Sequence, residues 1–236
     1  MAGSKSPSLA CTSANFWVGI DNVIFSVDME QNRLLVLLIL SDHSGDRWSL
    51  PHTLVRQAES LEQAAYRILA EKIRVKNLYL EQLYTFDYLA AESDSLLADL
   101  SVSYFAIVRF EEAELIADGL SGIAWYPIER IPLLSSKHQQ ILKYGHRRLR
   151  NKLEYSPVAF EVLPATFTLS DLFQFYVTIL GENFSDYSNF RSRLLKLGFL
   201  IDTGIKVTRG AGRPASLYRF DAEKFAHFQD QPMIFI

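Results

Sequence analysis

Apolar residues crowd two early segments of the chain, Trp17–Val27 and Arg33–Leu40, both rich in Val, Ile and Leu. The Asp28–Asn32 link between them has turn composition, so the two read as strands of an antiparallel hairpin. A loop at Ser41–Arg47 leads to Trp48-Ser49-Leu50-Pro51. Leu61, Ala64, Ala65, Ile68 and Leu69 then recur at helical spacing, which predicts an amphipathic helix capped by Glu59-Ser60, with Glu62 in its first turn. Strand-like runs follow at Leu78–Phe86, Val102–Phe110 and Gly122–Tyr126, the first two separated by the long acidic connection Asp87–Leu100. Past Pro127 and Pro132, the stripe Ile141, Leu142, Gly145, Leu149 and Leu153 predicts a second long helix, a connector between domains.

The pattern changes after Leu163-Pro164. Thr168 with Asp171 three residues on predicts a capped helix that ends before Gly181, and Ser188 is the predicted cap of the next helix, which stops at Gly198. Phe199–Ile205 and Ala215–Phe220 read as strands around a Gly/Arg/Pro tip, Thr208–Pro214. Helix, turn, helix and β-ribbon is the order of a winged helix-turn-helix.

Charge divides along the same line. The chain of 236 residues has a net charge of −3, but residues 1–136 carry 10 basic against 18 acidic side chains and residues 137–236 carry 14 against 9. An acidic first unit and a basic second unit suggest that only the second meets a polyanion. On the helix after Ser188, Phe190, Leu194 and Leu197 share one face, while Asn189, Ser192, Arg193 and Lys196 share the opposite one. An amide, a hydroxyl and two cations without an acid are what a recognition helix presents to base edges and phosphates. Arg193 and Asn189 are the candidates for base edges. Arg191, at the border of that face, and Lys206, Arg209 and Arg213 around the tip are candidates for phosphate or the minor groove.

Composition narrows the class. The apolar fraction of 49% is globular, and one cysteine, Cys11, excludes both an internal disulfide and a multi-cysteine zinc site. The N-terminal residues lack a signal peptide's basic start and apolar core, and the longest apolar run, Leu34–Leu40, falls well short of the roughly 20 residues that span a bilayer. A cytoplasmic protein without a membrane partner is expected. His43, His52, His138, His146 and His227 are scattered along the chain, so no metal set is expected.

Leu50–Val75 resembles the Nudix box, a Gly, five residues, Glu, seven residues, then Arg-Glu-apolar-x-Glu-Glu-x-Gly-apolar. Glu59, Arg67, Leu69, Glu71 and Val75 match, whereas Thr53, Ile68, Lys72 and Arg74 replace a glycine, two glutamates and a glycine. The glycine pair before the helix reads His52-Thr53. In working Nudix hydrolases the carboxylates at positions 68, 71 and 72 hold Mg²⁺, which demands several oxygen ligands. Ile68 offers none and Lys72 brings a positive charge, so no catalytic residue is expected.

Across roughly residues 17–225 the chain is similar to the NrtR family of Nudix-related transcriptional regulators. The resemblance rests on Trp48-Ser49-Leu50-Pro51, Tyr79-Leu80-Glu81-Gln82-Leu83, Ala124-Trp125-Tyr126-Pro127, Phe167-Thr168-Leu169, Asn189-Phe190-Arg191 and Gly212-Arg213-Pro214-Ala215, in that order. It implies an α+β chain: an N-terminal Nudix α/β/α sandwich with a mixed sheet, then a C-terminal winged helix-turn-helix. The expected division is a tail at 1–15, a ligand-sensing domain at 16–135, a connecting helix at 136–156, the DNA-binding domain at 157–225 and a tail at 226–236. It further implies a homodimer on a palindromic operator in double-stranded DNA. The resemblance implies no cofactor beyond an ADP-ribose-like or other phosphorylated NAD or sugar metabolite as effector. Arg47, Trp48, Arg67, Glu71 and Lys72 are the candidate ligand residues, with Lys72 in place of the metal as the partner of a ligand phosphate. A local ion pair of Lys72 with Glu71 or Glu59 is the competing reading. The family's Arg-Asp-Pro-Arg-like segment is replaced by Asp87–Leu100, which has neither Arg nor Pro. A Nudix pyrophosphohydrolase with an accessory basic domain, or a Nudix unit serving only dimerisation, remain as alternatives.

Overall fold

A computed structural model describes residues 16–41, 47–75, 78–87, 100–116, 122–181, 184–208 and 213–226. The first unit is built on β1 (Val18–Asp28), β2 (Arg33–Ser41), β3 (Arg47–Ser49), β4 (His52–Leu54), α1 (Leu61–Lys72), β5 (Ile73–Arg74), β6 (Tyr79–Asp87), β7 (Leu100–Arg109), β8 (Glu114–Leu115), β9 (Ile123–Pro127) and α2 (Ser136–Leu153). The main sheet runs β3-β2-β1-β7-β6, with β4 also paired to β1 and β9 to β2. Of its pairings only β1 with β7 is parallel, so the sheet is mixed. The predicted hairpin is present, with Asp28 opposite Arg33. Its turn is held by the Asp28 carboxylate, which accepts from the Glu30 and Gln31 N–H groups.

Alternation along the strands assigns a helix to each face of the sheet. Ala64, Ala65 and Leu69 of α1 meet Ile20, Ile24, Leu37, Val102 and Ala106. On the other face, Ile141, Leu142, Leu149 and Leu153 of α2 join Val23, Phe25, Val36, Phe105 and Ile107 in the main core. A Cβ on Gly145 would come within 3.3 Å of Val23, so glycine lets α2 lie close on the sheet. The predicted stripe of α2 is buried as drawn, but it faces the sheet. The helix is therefore a layer of the sandwich as well as the route to the second unit.

That unit comprises α3 (Val158–Val162), α4 (Leu169–Leu180), α5 (Tyr187–Lys196), β10 (Leu200–Val207), β11 (Ala215–Phe220) and α6 (Ala222–Phe225). The Thr168–Asp171 capping box opens α4 as expected. Helix α5 corrects the sequence reading: its N-cap is Asp186, whose carboxylate accepts from the Asn189 N–H, and Ser188 lies inside the first turn. Gly198 takes a φ of +73° just past α5, a left-handed conformation that glycine accommodates without strain. Strands β10 and β11 pair antiparallel, and Phe167 adds a two-bond bridge to Tyr218 at 3.0 and 2.8 Å.

The two units share one core. The cluster containing Val23 and Phe105 continues through α2 to Phe167, Phe175, Tyr176, Phe190, Leu194, Phe199 and Phe225. Two arginines of the first unit also serve carbonyls of the second. Arg109 at the end of β7 donates to the Val162 and Leu163 carbonyls, and Arg150 of α2 donates to the Ile179 carbonyl at 3.0 Å. Such groups near helix C-termini otherwise lack intrahelical partners.

Candidate functional site

Helix α5 is fixed from beneath by aromatic packing. Phe190 is buried, with ring centres 5.3 Å from Phe173 and 5.6 Å from both Tyr176 and Phe184. Leu194 is fully buried one turn later, and Leu197 packs at the edge of the core. That anchoring leaves Asn189, Arg191, Ser192, Arg193 and Lys196 exposed. The outward stripe read from the sequence is thus present, with its two cations toward the C-terminal end, and α5 itself contains no acidic residue.

The wing continues the basic surface. Lys206 stands opposite Ser216 across the ribbon, after an irregularity between Asp202 and Lys206 where Gly204 has a φ of +74°. The Asp202 carboxylate accepts from the Gly204 N–H at 2.8 Å, which shapes the bend. Arg213 is exposed at the start of the return strand. Arg209 lies outside the described residues.

In the first unit, the remnant of the Nudix box has become a structural knot. Arg67 Nε and Nη2 donate to the Glu59 carboxylate at 2.7 and 3.0 Å. Nη1 donates to Thr53 Oγ1 and Nη2 to the Leu54 carbonyl, each at 3.0 Å. The Arg67 hydrogen bonds, assisted by the Arg56 N–H, hold the Glu59 carboxyl down at about 2. Glu71 Oε1 lies 3.7 Å from Arg67 Nη1. Ile68, at a position where the pattern carries a metal-binding glutamate, is buried, while Glu71 is exposed and Lys72 half-buried. The three positions therefore do not form one ligand-facing group.

Nor do the five candidate ligand residues sit together. Trp48 stands opposite Leu40 in the β3–β2 register, packs against the core beneath α2, and meets Tyr126 edge-on at 4.9 Å. Arg47 is exposed beside it. Arg67, Glu71 and Lys72 belong to α1, on the face of the sheet opposite Trp48.

The histidines correct the sequence reading in another way. His52 of β4 is directly across from Asp21 of β1, and α2 brings His138 onto the same carboxylate, with Nε2 3.1 Å from Oδ1. A donor atom from each of Asp21, His52 and His138 lies within 4.8 Å of the others. Lys137 Nζ is 3.2 Å from Asp21 Oδ2, to which the Ser101 hydroxyl also donates. Burial pushes the Asp21 carboxyl up, but the His138, Lys137 and Ser101 interactions outweigh it and hold the group ionised, well below the usual range. Burial pushes the His52 imidazole down. Scattered in sequence, two of the five histidines meet in space because strand register and helix docking bring them there.

Comparison with known proteins covers both units. A model of the NUDIX domain matches residues 20–146, and a model described as the AraR C-terminal winged HTH domain matches residues 155–236. The chain is 30% identical over 210 residues to the ADPR responsive transcriptional repressor NtrR of Acinetobacter baylyi, covering 87% of this chain and 82% of that protein. The crystal structure of Shewanella oneidensis NrtR complexed with a 27mer DNA matches with a TM-score of 0.72 at 30% identity, over 91% of this chain and 98% of that one. A MutT/nudix family protein from Enterococcus faecalis shares the fold, with a TM-score of 0.69 at 22% identity over 92% and 89% of the two chains.

Proposed function

Because this chain belongs to the NrtR family of Nudix-related transcriptional regulators, we propose that it binds an operator in double-stranded DNA and that its Nudix unit senses a metabolite that alters this binding. The observation that carries the reading is the acid-free outward face of α5, displayed by a winged helix inside a chain that matches the family across both units. Asn189 and Arg193 contact base edges, with Arg suited to guanine and Asn to adenine. Arg191, Ser192, Lys196, Lys206, Arg209 and Arg213 meet phosphates or the minor groove. A homodimer places two such helices on a palindrome, and the acidic Nudix half supplies the contact because two basic faces would repel.

The Nudix unit senses without hydrolysing. Ile68 turned into the core and Lys72 in place of a glutamate leave Glu71 alone among the three metal-binding positions, too few oxygens for Mg²⁺. The A. baylyi relative, described as ADPR responsive, makes an ADP-ribose-like molecule the first effector to test. Lys72, with Arg47 as a further candidate, contributes the cation for its phosphates, Glu71 is a further candidate contact on the same helix, and Arg67 acts by positioning Glu59 and the loop at Thr53–Leu54. The experiment is selection of bound duplexes from a random pool by the full chain, followed by titration of the selected site with and without ADP-ribose. A palindromic consensus whose affinity falls on adding the nucleotide is expected. A chain that selects no sequence lacks the proposed function. Magnesium-dependent hydrolysis of ADP-ribose that Glu71→Gln abolishes would instead make it an enzyme.

A further inference from the structure

Where the Nudix pattern carries a glycine pair, this chain carries His52-Thr53, and the fold sets the new imidazole beside a carboxylate and a second imidazole. Asp21 and His138 are 1% and 3% exposed, and His52 is half-buried. Three separate elements supply them: β1, β4 and α2. His52 Nδ1 is 2.8 Å from the Leu50 carbonyl, an acceptor, so Nδ1 carries the proton and Nε2 keeps a lone pair. A backbone carbonyl holding the far N–H is how metal-ligating histidines are oriented. Ser101 donates to Asp21 from the neighbouring strand, and Ser103, in register with Asp21, has a buried hydroxyl with no hydrogen-bond partner among the described residues. One polar atom beside the cluster is thus left unused by its present bonds.

We propose that Asp21, His52 and His138 form a binding site for a divalent transition-metal ion of the zinc type. Two imidazoles and one carboxylate match the ligand preferences of Zn²⁺, Ni²⁺ and Co²⁺, whereas Mg²⁺ and Ca²⁺ take oxygen ligands. The site lies on the α2 face of the sheet, opposite α1, whose carboxylates would have held Mg²⁺ in a hydrolase.

His138, Lys137 and Ser101 all hold Asp21 in the metal-free chain; the ion must displace the Lys137 ammonium and the proton on His138 Nε2, while the Ser101 hydroxyl keeps its place. Lys137 Nζ sits at 3.2 Å, and its side chain keeps 15% exposure, enough to turn the ammonium toward solvent. His138 Nδ1 accepts from the Leu50 N–H at 3.4 Å, so its proton is on Nε2, facing Asp21. Metal binding moves that proton to Nδ1 and breaks the long Leu50 bond, while the neutral ring releases no proton. Lys137 is thus a built-in competitor, and its removal must tighten the site.

The test uses the untagged full chain, stripped with a chelator and titrated with Zn²⁺, and with Co²⁺ as a visible-absorbing probe. One equivalent of each ion is expected, with a rise in Tm because only the folded chain presents all three ligands. Mg²⁺ at the same concentrations leaves Tm unchanged. His52→Gly restores the residue of the Nudix pattern, keeps the Asp21–His138–Lys137 contacts, and is expected to weaken Zn²⁺ at least about tenfold, as loss of a ligand should. Lys137→Ala is expected to bind Zn²⁺ several-fold more tightly than wild type. Zn²⁺ affinity equal in wild type and His52→Gly overturns the proposal, and so does an absence of binding to both wild type and Lys137→Ala. Neither residue belongs to the DNA-facing set, so failure here leaves the operator reading standing.

Discussion

Helices α1 and α5 start from the same plan and put their outward charges to different use. Each is opened by a polar cap, Ser60 in one and Asp186 in the other, and each buries a short apolar stripe. On α1 the outward arginine folds back on its own unit, where Glu59, Thr53 and Leu54 receive it. On α5 the outward cations, Arg193 and Lys196, are exposed, and the helix itself contains no acidic residue. The same residue type therefore fastens a loop in the acidic unit and is presented outward in the basic one. Charge on a helix face says little until its surroundings are known, and the surrounding sequence is acidic at 59 and 71 but not around 189–196.

The largest effect should come from the buried face of α5. Phe190→Ala removes a buried ring packed against Phe173, Tyr176 and Phe184, and is expected to cost about 3–5 kcal/mol in urea unfolding. A loss below about 1 kcal/mol, the size of an ordinary surface substitution, would mean that α5 is not anchored as described.

A smaller and different effect should follow on the outward face. Arg193→Ala is expected to leave Tm nearly unchanged while weakening operator binding by about 1–3 kcal/mol and relaxing preference at one base pair. Lys206→Ala should instead weaken all duplexes alike and make the salt slope shallower by roughly one unit. A salt series on selected and scrambled duplexes separates the two. Unchanged operator affinity in Arg193→Ala would break the contrast with α1.

What the sequence revealed follows the range of the forces involved. The hairpin, the α1 stripe, the Thr168–Asp171 box and the stop at Gly198 are set by residues a few positions apart, and all are present. The start of α5 was less legible, because Asp186 and Ser188 are both short capping residues and periodicity does not choose between them. The stripe of α2 was readable, but not the fact that it faces the sheet, because a helix pattern does not name its partner. The His52–Asp21–His138 group depends on cross-strand register and on a contact spanning 117 residues, which no local spacing encodes. The signal available was His52 itself, standing where the Nudix pattern has glycine. Arg67 is a candidate ligand residue by its place in the Nudix pattern, and the structure sets its guanidinium on Glu59, eight residues earlier across the turn into α1.

The smallest effect sharpens the comparison from the α1 side. Glu59 has a carboxyl held at about 2 in the folded chain, by Arg67 first and the Arg56 N–H second, against an ordinary value of 4.5. A folded-state value below the unfolded one means that the unfolded chain binds protons first as pH falls. The pair's contribution is therefore complete above about pH 4.5 and drains away as pH drops through about 2. Because the pair is part-buried and keeps some contact with solvent, the change is modest. Asp21, also held low, adds an acid loss of the same sign, so the informative quantity is the difference between variants. Urea midpoints measured down that window should fall less steeply in Glu59→Gln than in wild type, while Lys206→Ala tracks wild type throughout. Parallel curves for Glu59→Gln and wild type would show that Arg67 is not spent on Glu59, and the distinction between a charge used to fasten and a charge used to read would fail at its simpler end.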